Sequence, residues 1–372
     1  MRIAIRGIGI TGGFGCGIDD LRQTLISQKC LPKTIDVTTK NGSLALPVFL
    51  CDTSRLETFI HKKALRRVDH FSRMAVLASF LALEDAAILD NDHGQLAVVV
   101  ATGYGATRTT FSFLDSVFDH GDALASPTQF SNSVHNAAAA HISISLKARG
   151  PNLTVSQFEM SVPSALLAAC QWLEDHRVDA VLFGGVDEYC AVLGYCWQRF
   201  FGSTPKAGMH PLNWDDQSAI AGEGSAFFVL TRDEGPPARY GVITDIQLGH
   251  NQNGDPQFSK DTLLVLGADG HKSCGMHYAQ CIPDGTPAAV YTPLYGSFPA
   301  GPAFDLAIAA LSNSEGKIFT TPPGCGLRTR QQHHLTRQSL DSTPISCLKF
   351  DCEGQFGLIT LAAGNRSSGV LE

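Results

Sequence analysis

Three short runs limit what this chain can fold into. Gln95–Thr102 reads QLAVVVAT, Asp179–Gly185 reads DAVLFGG, and Ala221–Leu230 reads AGEGSAFFVL. Each holds a continuous apolar stretch of strand length, without the alternation of a strand that keeps one face in water. Strands of this kind are buried on both faces, so helices must cover both sides of their sheet. Arg67–Leu89, RVDHFSRMAVLASFLALEDAAIL, is predicted as a long helix rich in Ala and Leu. Shorter helices are predicted near Ile18–Gln28, Asn136–Leu146, Ser161–His176 and Ala303–Leu311. Further strands are predicted at Arg2–Ile8, Leu153–Ser156, Tyr240–Leu248, Thr262–Leu266, Ala288–Tyr291, Ile345–Phe350 and Gly357–Ala362. Residues 30–60 read as mixed and loop-like. Strands that alternate with helices along the whole chain define an α/β class with largely parallel sheets. TRDEGPPAR, at Thr231–Arg239, reads as a connection, and AVVVATGYG before it echoes AAVYTPLYGS after it.

Composition excludes several functional classes. The chain has 372 residues, 44% hydrophobic and 17% charged, which supports a large core in one big domain or two. The net charge of −7 gives no electrostatic reason to expect nucleic acid as a partner. Eleven cysteines, an odd number without disulfide-like spacing, read as reduced thiols of a cytosolic protein. Glycines interrupt the apolar start MRIAIRGIGITGG, and no run reaches the roughly 18 apolar residues of a membrane span. A soluble cytoplasmic chain without a signal peptide is expected.

Several motifs have simpler readings than the chemistry they suggest. Gly7-Ile8-Gly9-Ile10-Thr11-Gly12 matches G-x-G-x-x-G after a strand, but further glycines delay the helix that should cradle a pyrophosphate. Tight turns are the expected use of these glycines. His271, Cys274, His277 and Cys281, in HKSCGMHYAQC, have spacings that zinc could use and that one helix would also produce. The helix is the expected reading, so neither a metal nor a cofactor is assigned. His333 and His334 are expected in a solvated loop.

The most informative stretch is TVSQFEMSVPSAL, from Thr154 to Leu166. A β-branched run enters a sharp turn and then an apolar helix, the local form of a nucleophile elbow. Phe158 and Glu159 stand at its apex. With RIAIRGIGITGGFGCGIDDL, RRVDHFSRMAVLASFLALEDA, VDAVLFGGVDE and AGEGSAFFVL, this stretch resembles the β-ketoacyl synthases of fatty-acid and polyketide assembly. Five such elements occur in the family's order and spacing. The resemblance implies a thiolase-like fold, with two similar βαβαβαββ halves forming a five-layered αβαβα core. The halves are expected at residues 1–232 and, shortened, at 233–372.

The resemblance also implies a chemistry. Active members carry a cysteine at the elbow apex, and here that place falls on Glu159. The family's first histidine, in a HGTGT-like turn after a strand, is matched to Pro293. The second belongs to a Lys-x-x-x-Gly-His segment, and Lys317 and Gly324 resemble it too loosely to carry it. Of the family's Gly-Phe-Gly-Gly gate, only Gly354 in FDCEG remains. No catalytic residue is therefore expected.

Silent chains of this kind are chain length factors, which pair with an active ketosynthase in type II polyketide and aryl-polyene systems and receive acyl carrier protein. The usual factor has Gln at the cysteine place, while the short length and SPTQFSNSVHNAAAAHISI look more like the polyene-type factors. Residues 100–160 are expected at the pairing interface. Phe111, Phe113, Phe118, Phe130, Phe158 and Met160 are candidates for the tunnel or interface, with burial in the core as the plain alternative for the first four. Lys62, Lys63, Arg66 and Arg67 are candidates for carrier-protein contact, or simply a solvated face. The alternatives are a self-standing acyltransferase or malonyl decarboxylase using Glu159, and a structural homodimer.

Overall fold

The computed structural model describes residues 1–39, 42–202, 208–283, 285–325, 340 and 343–364. His333 and His334 lie outside the described residues. Ten strands form the central path of one sheet system. The first five are β1 (Ile3–Gly12), β2 (Ala97–Ala101), β3 (Asn152–Val155), β4 (Ala180–Asp187) and β5 (Gly224–Arg232). The second five are β6 (Val242–His250), β7 (Leu263–Leu266), β8 (Ala288–Ala289), β9 (Ile345–Phe350) and β10 (Gln355–Ala362).

The strand order shows the duplication that the short echo between the halves only hinted at. The first half runs β3-β2-β4-β5-β1 and the second β8-β7-β9-β10-β6. Within each half the third and fourth strands flank the second in parallel, and the last two pairings are antiparallel. β1 and β6 join the halves through a short antiparallel bridge, Ile3↔Ile243 and Ala4↔Val242.

Helices complete the layers. α1 (His70–Asp85) and α2 (Ala137–Leu146) cover the outer face of the first half. α3 (Ser161–Glu174) and α5 (Pro302–Glu315) lie between the halves and pack on strands of both. α4 (Lys272–Cys281) covers β9 on the far side. The result is the five-layered αβαβα arrangement of the thiolase-like fold. The second half has shorter connections: β6 reaches β7 through the irregular segment 251–262, where the first half has α1, and β9 reaches β10 through the turn 351–354, where the first half has the helix Ala191–Phe201.

The glycines of the G-x-G run have a packing role that differs from the expected one. Gly7 and Gly9 lie inside β1, which continues to Gly12, so they form no turn. A Cβ on Gly9 would lie 1.9 Å from the Ala78 carbonyl oxygen, and one on Gly7 would lie 2.4 Å from that of Ala82. β1 therefore lies directly against the backbone of α1. The small residues Ala78 and Ala82 permit the approach from the helix side.

Other expectations need correction. Residues 30–60 are not mainly loop, because Lys33–Thr39 and Gly42–Phe49 form a hairpin. Its pattern is weak because Val37, Leu46 and Val48 carry most of its burial. The sequence reading lacks three helices, Thr107–His120, Pro127–Asn132 and Ala191–Phe201. The first carries an apolar stripe, Phe111, Leu114 and Phe118, but has no fully buried residue.

Gly9→Ala is expected to lower stability by about 1–3 kcal/mol, the usual cost of overpacking. Urea denaturation checks this. An unchanged midpoint would mean that β1 and α1 can separate freely.

Candidate functional site

The elbow is built by a steric and a polar constraint. β3 ends at Val155, and α3 opens at Ser161 after the single turn Phe158–Met160. Phe158 has φ of 45°, a left-handed conformation unusual for a bulky side chain. The Ser161 hydroxyl accepts from the Gln157 N–H at 2.8 Å and lies 3.0 Å from the Thr102 carbonyl oxygen. A Cβ on Gly103 would meet Pro299 at 2.3 Å and the Phe158 Cα at 3.2 Å, so the loop after β2 and the segment before α5 close tightly on the turn.

Asp187, at the end of β4, ties these pieces together. Its fully buried carboxylate accepts from Thr102 Oγ1 (2.8 Å), Gly103 N (3.0 Å), Tyr104 N (2.8 Å) and Ala300 N (2.8 Å). Burial pushes its pKa up to about 6, while the four donors act in the opposite direction.

Glu159 sits at the apex, half-buried beside this scaffold. Burial raises its pKa, partly offset by the charge of Lys349 and by its own backbone N–H. Asp269 and Asp351 push it further upward. The groups facing the apex thus come from β9 and from the turn after β7.

Lys349 is the organising charge of that set. It lies in β9 at 4% exposure, and its Nζ donates to Asp269 Oδ2 at 2.7 Å and to the Gly267 carbonyl at 2.9 Å. Ser297 Oγ donates to the same Asp269 oxygen at 2.8 Å. Burial opposes ionisation of Asp269, but Lys349 overcomes it, with help from His271 and Ser297, and holds its pKa down at about 2. Lys349 is disfavoured by burial and nevertheless raised above the ordinary lysine range, chiefly by Asp269. Close by, Asp305 accepts from Tyr295 Oη at 2.7 Å, and burial lifts its pKa to about 7.

This set does not provide an activated nucleophile. Ser297 faces a carboxylate too weakly basic to take its proton. Cys170 lies fully buried within α3, where burial raises its thiol pKa. Cys274 is buried too, its thiol pushed up to about 12. A carboxylate such as Glu159 can accept an acyl group only as a labile anhydride.

The remaining sequence candidates are dispersed. Pro293 lies in the single turn Thr292–Leu294 and brings no polar group to the apex. Met160 is buried and Phe158 is exposed, its ring 6.5 Å from Tyr104. Phe111 and Phe113 are half-buried on the helix Thr107–His120, and Phe113 packs 5.4 Å from Phe130. Phe118 and Phe130 are exposed. Lys62, Lys63, Arg66 and Arg67 are all exposed, with Lys62 3.8 Å from Glu57.

His271, Cys274, His277 and Cys281 lie on or at the start of α4 with separate partners. His271 meets Gln217, His277 meets Asn251, and Cys281 meets Asp255. Among the described residues no group of three or more His, Cys, Asp or Glu is placed to hold a metal. Nor is any described helix long and apolar enough to cross a membrane.

Sequence reasoning missed Lys349 and Asp269, and it placed Ser297 only as a residue fitting the turn after Pro293. A signal for both was present: a lysine inside the apolar strand ISCLKF, and an Asp-Gly pair two residues beyond LLVL.

Known proteins agree with this architecture. Residues 1–235 match the family described as Beta-ketoacyl synthase, N-terminal domain, and the chain belongs to that family. A 3-oxoacyl-[acyl-carrier-protein] synthase 2 of Synechocystis is 25% identical over 200 residues, covering 52% of this chain and 48% of that protein. The protein of the same name from Staphylococcus aureus is 24% identical over 264 residues, covering 68% and 63%. The chain thus spans about half to under two thirds of the curated relatives it matches. Among solved structures, the ishigamide ketosynthase/chain length factor aligns with a TM-score of 0.76 at 18% identity, over 97% of this chain and 99% of that one. The ketosynthase ApeO in complex with its chain length factor ApeC, from Xenorhabdus doucetiae, aligns with a TM-score of 0.76 at 16% identity, over 97% and 98%. At these identities the structural likeness establishes the fold.

Lys349→Met should destabilise the protein by about 3–5 kcal/mol, because it leaves Asp269 charged and buried without its partner. Adding Asp269→Asn should recover a large part of that loss. Denaturant titration of the single and double variants checks both outcomes.

Proposed function

We propose that this chain is a non-condensing, ketosynthase-like subunit of the chain length factor type, which pairs with an active β-ketoacyl synthase and helps shape its acyl tunnel. The observation that carries the reading is Glu159 at the elbow apex, where the active family has a cysteine. Condensation needs a thiolate to hold the acyl chain and polar groups that stabilise the enolate oxygen. Here the apex carboxyl faces a buried Lys349–Asp269 ion pair instead.

The proposal revises the histidine assignments. Asp269-Gly270, directly after β7, fits the place of the first histidine and its glycine better than Pro293 does. Ser297, bonded to Asp269, fits the second. The boundaries at residues 1–232 and 233–372 remain the proposed division of the two halves.

The surface near the elbow supports a pairing role. β3 is an edge strand of the sheet. Across the segment 107–158, which includes β3, Phe118 (84%), Leu124 (72%), Phe130 (60%), Ile144 (73%) and Phe158 (62%) stand exposed. An apolar surface with an unpaired strand edge suits a large obligate interface, which typically exceeds about 2,000 Å². The exposed basic group Lys62, Lys63, Arg66 and Arg67 is proposed to meet an acidic carrier protein at that assembly.

Co-expression with an active ketosynthase should yield a stable heterodimer, while the isolated chain should turn over no acyl- or malonyl-carrier substrate. Turnover by the isolated chain would replace this reading with that of an acyltransferase or decarboxylase. A stable homodimer that ignores the ketosynthase would leave a structural role. Glu159→Cys should not restore condensation in the isolated chain, since Asp269 and Ser297 do not supply the histidine functions. Ala substitution of Phe111, Phe113, Phe118 and Phe130 in the reconstituted pair should lengthen the product at any position that forms the tunnel floor. Unchanged product length at all four would remove them from it.

A further inference from the structure

An open groove of about 730 Å³ lies between the end of the helix Ala191–Phe201 and α4. Phe200, Phe201, Trp214 and Met276 line it, beside Gln217 and Lys272. Phe200 is 83% exposed and Met276 53%, so the groove wall presents apolar surface to water. Two smaller spaces continue inward. The first, about 30 Å³, lies between that helix and the hairpin strand Gly42–Phe49, and shares Phe201 and Gln217 with the groove. The second, about 10 Å³, shares Tyr189, Trp197 and Ala221 with the first and ends at Ser297. Neither holds more than about one or two water molecules. The three spaces thus stand in series from the surface to the Ser297–Asp269 pair.

A cluster of rings separates them. The ring centres of Trp197 and Phe201 lie 4.8 Å and 4.7 Å from that of His271, and 5.9 Å from each other. Gln217 Nε2 lies 3.1 Å from His271 Nδ1, and Gln217 Oε1 accepts the Lys272 N–H at 3.0 Å, so the cluster is pinned to the start of α4. The helix that carries Trp197 and Phe201 has only Gly194 fully buried, so few core contacts hold its last turn. Simple core filling does not account for the innermost space. Tyr189 and Glu188 line it, and Tyr189 Oη and Glu188 Oε2 are buried without a hydrogen-bond partner among the described residues. A space that only needed filling would carry apolar groups there, since each unpaired polar atom is costly.

We infer that the groove is the mouth of a route to Ser297, and that Trp197, Phe201 and His271 form the plug that keeps it shut. Ser297 and Asp269 lie behind the plug, which therefore also keeps water from the buried Lys349–Asp269 pair. The attraction within that pair is strongest in a dry setting. The plug is a property of the isolated chain and does not rest on the proposed function. One consequence does rest on it: with this face shut, an acyl chain reaches the apex region from the pairing face.

Thiol labelling of the purified full chain tests the plug without any partner. In Ser297→Cys, the new thiol should react with methyl methanethiosulfonate no faster than Cys170 or Cys347, which are buried elsewhere in the core. Adding Trp197→Ala and Phe201→Ala should raise its labelling rate about tenfold or more, read by peptide mass spectrometry, while Cys170 and Cys347 stay as slow as before. Each single Ala substitution should give a smaller rise, so the plug is readable even if the double variant does not fold. Trp197→Phe keeps a ring in place and should leave the thiol protected. Fast labelling of Ser297→Cys with the rings intact, or an unchanged rate after their removal, would overturn the inference. Equal acceleration at Cys170 and Cys347 would overturn it too, because it reports general loosening of the core.

Discussion

The site depends first on the carboxylate of Asp187. It gathers donors from the loop after β2 and from the segment that opens α5, so one buried group connects the two halves of the chain. A buried carboxylate is tolerable only when its oxygens are supplied with donors. That requirement fixes Thr102, Gly103, Tyr104 and Ala300 relative to one another. The elbow closes against the same segment, so the position of Glu159 follows from a contact that Glu159 does not itself make.

Around that scaffold the charged groups near the apex are committed to one another. Asp269 is ionised and held by Lys349, so it is a poor base. Lys349 stays charged, so it is a poor nucleophile. Ser297 is committed to Asp269. The three groups satisfy one another and leave little capacity for proton transfer. Under the proposed reading, such a site suits a subunit that contributes shape and surface.

Much of the fold was readable in the sequence because its cause is local. QLAVVVAT and DAVLFGG are strands buried on both faces, and their uninterrupted apolarity reports that environment directly. The hairpin Lys33–Phe49 and the helix Thr107–His120 escaped because most of their side chains do not face the core. The G-x-G run was read as turn glycine because spacing alone does not reveal a helix backbone pressed against Gly7 and Gly9. The proposed shift of a histidine place from Pro293 to the turn after β7 rests on strand order, which a similar string does not reveal.

The sequence by itself determined the class of fold, the elbow and the residue at its apex, since each follows from local patterning and from the order of recognisable elements. The tertiary structure decided what surrounds that apex. Lys349 lies 190 positions from Glu159 in the chain. Asp269, Ser297 and Lys349 meet only because β7, β9 and the segment before α5 converge across the duplicated sheet. Their protonation states are set by mutual distance and shared burial, which are properties of the packed chain that no single segment encodes.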